Sequence, residues 1–206
     1  MNSNKNFTVD DFISKYSDKI IENVDSFANI KSEKDLVYIV TYEDIPIVVG
    51  SGKKERAIKT IKGNHIKSIF LQIYKKYGIK EKLRYYYIET KDKKEAKEIE
   101  RNAHIVFGGD SRAIKPEVLS NFEREYKKYP HIEKYIKQAL LSSYDGLSDL
   151  RVWYANEIIT DEEWKDIKKI FDISEKKSKK KNPLGNSDNW KNVLEKLKNG
   201  VTRKLS

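Results

Sequence analysis

Hydrophobic positions near the N-terminus recur at three- and four-residue spacing. The apolar residues of this segment are Phe12, Ile13, Tyr16, Ile20, Ile21 and Val24. This spacing is typical of an amphipathic helix that buries one stripe of side chains. We therefore predict an N-terminal supporting helix within residues 1–33.

Two runs of β-branched and aromatic residues follow this segment. They are residues 36–42 and 45–49, and Glu43 and Asp44 supply a turn between them. Such runs are typical of strands, so they predict a β-hairpin in which Pro46 lies where no ladder donor is needed. Residues 83–90 have the same character and predict a third strand.

Helical periodicity appears between and after the predicted strands. Residues 55–61 and 65–77 form two candidate helices, and Gly78 ends the second. Residues 91–107 form another, with inward positions at Ala96, Ile99, Ala103 and Val106. The order ββααβα predicts an α+β fold, in which helices flank a small three-stranded mixed or antiparallel sheet.

The remainder of the chain divides into a helical part and a basic part. Residues 116–173 are helical in pattern, and Thr160 to Glu163 resembles a capping box before Trp164. Residues 174–206 begin with a lysine cluster and contain a proline and a glycine. The predicted organisation is an N-terminal helical extension (1–33), an α+β domain (34–112), a helical annex (113–173) and a basic linker and tail (174–206).

Positive charge is concentrated in two of these four segments. The net charge of the chain is +10, with +7 in residues 34–112, +7 in 174–206 and −2 in each of the other two. This distribution favours a polyanionic partner, most simply nucleic acid. A lysine-rich surface without a polyanionic partner is the alternative.

Composition excludes several other kinds of site. The chain has no cysteine, which excludes disulfides, thiolate zinc sites and cysteine nucleophiles, and its three scattered histidines argue against an all-histidine metal site. No apolar run approaches the roughly 18 residues that a membrane span needs, and the N-terminus is polar. We predict a cytoplasmic protein without a membrane partner.

Chemistry-bearing residues are spaced in a recognisable order between Leu36 and Gly108. Leu36-Val37-Tyr38 precedes Val48-Val49-Gly50 by ten residues, Arg56-Ala57 closes a Gly-Ser-Gly-Lys-Lys-Glu run, and Glu98-Ile99-Glu100 lies in a predicted helix. This order resembles the GIY-YIG nuclease family, which includes homing endonucleases, a repair incision subunit and restriction enzymes. The resemblance covers about 75 of the 206 residues.

The resemblance implies a role for each matching side chain. Arg56 would contact the scissile phosphate, since its planar fork can pair two phosphate oxygens. Glu100 would hold one Mg²⁺ or Mn²⁺ ion, for which a single carboxylate with waters and substrate oxygens suffices. Tyr38 would orient the attacking water, and His65 would assist proton transfer. The implied activity is metal-dependent hydrolysis of phosphodiester bonds in nucleic acid, with DNA favoured over RNA.

One position departs from the family pattern. The tyrosine of the second motif, often proposed as the general base, is replaced by Val48, which cannot accept a proton. Tyr38, Tyr42, His65 or Lys53 would have to take that role. The alternative is a catalytically degenerate scaffold that binds nucleic acid or a host partner without cutting. An α+β interaction domain with no nucleic-acid role is the third possibility.

Lysines near the motif and in the tail are candidates for binding phosphate groups. Lys53 and Lys54 follow the glycines, and Lys179, Lys180 and Lys181 lie in the basic tail. The tail cluster could equally be a solubilising linker. Residues 182–186 weakly resemble the DNA-contact modules of phage homing nucleases. We expect a monomer or a homodimer.

Overall fold

Contacts within the computed structural model divide the chain into two units. The model describes residues 9–23, 26–43, 45–61, 68–107, 114–142, 146–171 and 173. The first unit comprises residues 1–65 and 78–113, and the second comprises 66–77 and 114–206. The predicted boundary between 112 and 113 thus differs from the contact division by one helix, residues 69–77, which belongs to the second unit.

The described residues form helices in both units and strands in the first unit. The strands are β1 (Ile20–Asn23), β2 (Leu36–Tyr42), β3 (Ile45–Gly52) and β4 (Leu83–Glu89), and they all lie in the first unit. The helices of the first unit are α1 (Val9–Tyr16), α2 (Lys54–Ile61) and α4 (Lys93–Phe107). Those of the second unit are α3 (Ile69–Tyr77), α5 (Pro116–Tyr126), α6 (Glu133–Leu140), α7 (Gly146–Ala155) and α8 (Asp161–Phe171). None of the described helices is both long and apolar enough to cross a membrane.

The predicted N-terminal helix is wrong in its second half. Helix α1 ends at Tyr16, and a turn closed by the Lys19 amide on the Tyr16 carbonyl (2.9 Å) leads into β1. Ile20 and Ile21 pair with Ile88 and Tyr87 of β4. Both isoleucines are β-branched and suit a strand. The apolar residues keep helical spacing along the sequence although the helix ends at Tyr16 and a strand begins at Ile20. Val24, the last residue of the predicted stripe, lies outside the described residues.

The α+β class is confirmed, but the sheet has four strands rather than three. Its order is β1-β4-β2-β3, and every neighbouring pair is antiparallel. The predicted hairpin of β2 and β3 is present, and its register shifts after Val40, where Thr41 lies opposite Pro46. The fourth strand is β1, the segment predicted as helix. Strand β3 lies at one edge of the sheet.

One face of the sheet forms the main core of the first unit. Val37, Ile39, Val49 and Ile88 alternate with residues that point to the opposite face, as the pleat requires. They pack against the buried faces of α1 and α4. The helical residues of this core are Phe12, Tyr16, Ala96, Ile99 and Ala103. The three inward positions of α4 that periodicity predicts between residues 96 and 103 are therefore confirmed.

The other face of the sheet is covered by aromatic and small residues. The ring of Phe27, from the short 3-10 helix Phe27–Asn29, meets Tyr38 and Tyr85 edge-on at centroid distances of 5.7 and 5.5 Å. Ala57 and Thr60 are the buried residues of α2. This packing holds α2 and the end of β3 near Tyr38.

The regular secondary structure described in the second unit is entirely helical, as the pattern from residue 116 to 173 predicts. Its buried side chains come from all five helices and include Leu71, Phe122, Ile136, Trp153 and Ile167. The predicted capping box at α8 is confirmed. The Thr160 amide donates to Glu163 Oε2 at 2.8 Å, and the Glu163 amide donates to Thr160 Oγ1 at 3.2 Å.

The capping box predicts a measurable contribution to stability. Thr160→Ala removes the side-chain acceptor at the start of α8, and we expect a loss of about 1 kcal/mol in the free energy of unfolding. Urea unfolding monitored by circular dichroism measures this loss. Ser120→Ala, at an exposed position within α5, is the matched control and should not destabilise the protein. Equal effects of the two substitutions would contradict the capping role.

Candidate active site at the end of strand β3

Strand β3 ends in three small residues, Gly50, Ser51 and Gly52. Antiparallel pairing places Gly50 directly opposite Tyr38 of β2. A methyl group added at Gly50 would lie 2.5 Å from both Cζ and the hydroxyl oxygen of Tyr38. The phenol ring therefore lies against the Gly50 backbone, and a side chain at this position would collide with it.

Tyr38 is held from several sides. The residue is only 4% exposed, and its hydroxyl accepts a hydrogen bond of 3.2 Å from Thr60 Oγ1 of α2. Phe27 meets its ring edge-on. Because the Thr60 hydroxyl is the donor in this arrangement, the phenolic proton can be given to another acceptor. The Tyr38 hydroxyl is thus held in one orientation, and the residue has little exposure to solvent.

Ser51 contacts the predicted metal-binding carboxylate. Ser51 is 2% exposed, and its Oγ donates a 2.8 Å hydrogen bond to Oε2 of Glu100 in α4. Lys97 Nζ lies 2.5 Å from the same oxygen. No described residue donates a hydrogen bond to the other carboxylate oxygen, Oε1. The Glu100 side chain is 15% exposed, so it lies in a partly desolvated position.

The charge of Glu100 is set by opposing effects. Burial acts to raise the pKa of its carboxyl, because it disfavours the charged form. The hydrogen bonds from Lys97 and Ser51 and the charges of Lys97 and His104 outweigh burial, so the pKa is lowered from its ordinary value. Glu100 is consequently an ionised carboxylate at neutral pH.

Arg56 lies over the third small residue. Gly52 has a φ of +148°, a conformation that favours glycine, and a methyl group there would lie 2.7 Å from Arg56 Cδ. The aliphatic stem of Arg56 therefore covers Gly52. Arg56 is exposed, and its guanidinium forms no hydrogen bond or ion pair with any residue that the structure describes.

The other predicted site residues have no described side-chain contact with residues 50–52. Lys53 Nζ donates to the Glu33 carbonyl at 2.9 Å and lies 3.6 Å from Asp35 Oδ2, so its charge is shared with the start of β2. Lys54 is half-buried at the start of α2. His65 and the tail lysines Lys179, Lys180 and Lys181 lie outside the described residues.

The hairpin also places Tyr42, a candidate general base, and Val48, which replaces the tyrosine of the second motif. Tyr42 is fully buried, its hydroxyl accepts from the Ile79 amide at 3.2 Å, and it pairs with Ile45 at the turn end of the hairpin. It lies four residues further along β2 than Tyr38, a distance of about 13 Å, so it is far from the end of β3. Val48 lies opposite Val40 and is 7% exposed.

The structure therefore brings three of the four predicted catalytic residues to one tripeptide. Tyr38 contacts Gly50, Glu100 contacts Ser51, and Arg56 contacts Gly52. Neighbouring Cα atoms are 3.8 Å apart, so the three contacts fall within about 7 Å of backbone. Because neighbouring strand residues point to opposite faces, Tyr38 and Glu100 reach β3 from different sides.

Three residues of this arrangement were not predicted from the sequence. Ser51 and Lys97 bind Glu100, and Thr60 binds Tyr38. Lys97 could have been suspected, because it lies three residues before Glu100 on a helix. The other two contacts join residues separated by 49 and 22 positions, and no local pattern marks them.

The metal ion that the family resemblance implies needs at least one ionised carboxylate ligand. Within the described ranges, no group of three or more His, Cys, Asp or Glu side chains could hold a metal ion. Glu100 alone offers an ionised carboxylate with one oxygen, Oε1, that the described residues leave uncoordinated. A magnesium ion that retains most of its waters requires only such a single ligand. Glu100 therefore fits the ion implied by the family resemblance.

The contact at Gly50 predicts a steric effect. Gly50→Ala should lower the free energy of unfolding by about 1–3 kcal/mol, because the new methyl group meets the Tyr38 ring. In a Tyr38→Leu background the same substitution should be less destabilising, since the ring is absent. Urea unfolding of the four proteins in this cycle provides the measurement. An equal loss in both backgrounds would show that the ring is not the obstacle.

The Ser51 contact predicts a change in pH dependence. Because the pKa of folded Glu100 is lowered, its stabilising contribution is present above the ordinary carboxyl pKa and is lost as pH falls through the lowered value. Ser51→Ala should raise the pKa of Glu100 and reduce this acid-dependent loss. A carboxyl titration by NMR measures the pKa directly. Ser14→Ala, an exposed serine of α1, should leave it unchanged.

Comparison of the chain with protein-family models, with curated proteins and with solved structures found no match.

Proposed function

We propose that this protein is a metal-dependent endonuclease that hydrolyses phosphodiester bonds in nucleic acid, with DNA as the favoured substrate. The observation that supports the proposal is that Tyr38, Glu100 and Arg56 each contact one of the three small residues that end β3. These are the residue types and the chain order for which the sequence resembles GIY-YIG nucleases. On this proposal the first unit carries a GIY-YIG-like fold, extended by strand β1.

Arg56 would stabilise charge on the substrate. Its stem is held over Gly52, while its guanidinium has no partner among the described residues. A planar guanidinium can donate two parallel hydrogen bonds to phosphate oxygens. Donors that are already in place when negative charge develops contribute strongly to catalysis, so Arg56 is assigned to the scissile phosphate.

Glu100 would hold a Mg²⁺ or Mn²⁺ ion through Oε1. Ser51 fixes the opposite oxygen, Oε2, from a buried position on β3, so the direction of the carboxylate is set before a ligand arrives. When bound, such an ion neutralises phosphate charge and lowers the pKa of a coordinated water. The protein itself contributes one ionised carboxylate oxygen at a partly desolvated position.

Tyr38 would orient the attacking water. Thr60 fixes its hydroxyl. That hydroxyl can donate its proton to a water oxygen or accept a hydrogen bond from a water molecule. The small residues at 50–52 let a substrate approach the backbone closely, and β3 is an edge strand. A substrate along this edge could meet groups from both faces.

Of the four candidate proton acceptors, Tyr42 lies at the turn end of the hairpin and Lys53 is an ammonium paired with Asp35. The role is therefore assigned to His65 or to Tyr38 itself.

The second candidate function is nucleic-acid binding on a scaffold that has lost catalysis. Its specific support is Val48, which is buried opposite Val40 where the family pattern has a tyrosine. A valine in an apolar pair supplies no general base. This candidate depends on the same positive charge of residues 34–112 and predicts binding without cutting.

Cleavage assays separate the two candidates. The purified chain, with Mg²⁺, is incubated with plasmid DNA and with single-stranded DNA and RNA. We expect cleavage, and we expect Arg56→Ala and Glu100→Gln to reduce its rate at least 100-fold, by analogy with the removal of other transition-state contacts. Lys59→Ala on α2 and Glu98→Gln on α4 are matched controls at exposed positions and should retain activity.

Two outcomes would change the assignment. Full activity in Arg56→Ala or Glu100→Gln would remove that residue from the mechanism. Salt-sensitive DNA binding without cleavage by the unmodified chain would favour the second candidate. In that case Val48→Tyr tests whether restoring the missing group restores cutting.

A further inference from the structure

The two groups that bind Glu100 share one of its oxygens. Ser51 Oγ and Lys97 Nζ both contact Oε2, at 2.8 and 2.5 Å. They differ in how firmly they are placed. Ser51 is 2% exposed on a paired strand, whereas the Lys97 side chain is 50% exposed on the surface of α4. Ser51 is therefore a fixed partner, and Lys97 can leave without disturbing the core.

Lys97 places a positive charge close to the position that a cation bound to Oε1 would take. A magnesium ion on Oε1 would lie about 2 Å from that oxygen, and so within about 7 Å of an ammonium on Oε2. A single and a double positive charge at that separation repel each other strongly, even when solvent is near. Lys97 would have to move away when the ion binds.

We propose that Lys97 is an internal counter-ion of Glu100 that competes with a divalent cation for this carboxylate. The inference depends on the proposed function only in taking Glu100 as the cation ligand. In the cation-free protein the ammonium balances the partly desolvated carboxylate. Lys97 therefore lowers the apparent affinity of the site for the cation.

The size of this effect follows from the strength of the ion pair. A ligand that requires a minor state binds more weakly by the fraction of molecules in that state. An ion pair one helical turn apart with an exposed ammonium is weak, so opening it should reduce the apparent cation affinity by about fivefold. Replacing Lys97 by an uncharged residue of similar length should recover that factor.

The test is a Mn²⁺ titration of the full chain, monitored by paramagnetic broadening of the backbone amide signals of residues 50–52. Lys97→Met should bind Mn²⁺ about fivefold more tightly than the unmodified chain. Lys97→Arg, which keeps the charge, should show no such gain. Lys94→Met is the matched control, because Lys94 is an exposed lysine of the same helix. It should change the affinity by less than twofold.

Several results would overturn the inference. They are an unchanged or weaker affinity in Lys97→Met, an equal gain in Lys94→Met, and broadening that persists when Glu100→Gln is added to Lys97→Met. Absence of local broadening in every variant would also overturn it. Lys97→Gln serves as a second neutral variant if the methionine variant does not fold.

The outcome is separable from that of the proposed function. Tighter, Glu100-dependent Mn²⁺ binding in Lys97→Met without any cleavage would support the counter-ion role and argue against nuclease activity. Cleavage that needs Glu100, together with unchanged Mn²⁺ affinity in Lys97→Met, would do the reverse.

Discussion

The register between β2 and β3 is the constraint on which the candidate site depends. It places Tyr38 opposite Gly50, and the pleat then sends Ser51 to the other face of the sheet. A slip of one residue would exchange these faces, remove the space that Gly50 provides for the phenol ring, and turn Ser51 away from Glu100. The buried residues on both faces of the hairpin oppose such a slip, because it would reverse their packing as well.

Small residues and charged residues have complementary roles at the end of β3. Gly50 and Gly52 leave room for Tyr38 and for the stem of Arg56, whereas Ser51 provides a buried hydroxyl. The hydroxyl and Lys97 together keep Glu100 ionised against the effect of burial. Residues 50–52 therefore supply space for two of the candidate side chains, and together with Lys97 they set the charge of the third.

Much of the first unit follows from patterns in the sequence. The hairpin, strand β4 and helices α2 and α4 are marked by alternation, by helical periodicity and by flanking turn residues, and each is present. The spacing of Tyr38, Arg56 and Glu100 along the chain, which resembles that of a known family, predicts that they form one group. Each of them contacts the tripeptide 50–52. Strand β1 was missed, because four residues with helix-compatible spacing carry too little information to identify a distant pairing partner.

The sequence by itself determined the α+β class, most helix and strand positions, the capping box of α8 and the concentration of positive charge, because each depends on neighbouring residues or on composition alone. The tertiary structure decided that β1 joins β4, that α3 belongs to the helical unit, and that Ser51 and Thr60 bind Glu100 and Tyr38. These features join residues far apart in the chain. Their energies arise from pairing and packing that exist only after the chain has folded, so no local pattern encodes them.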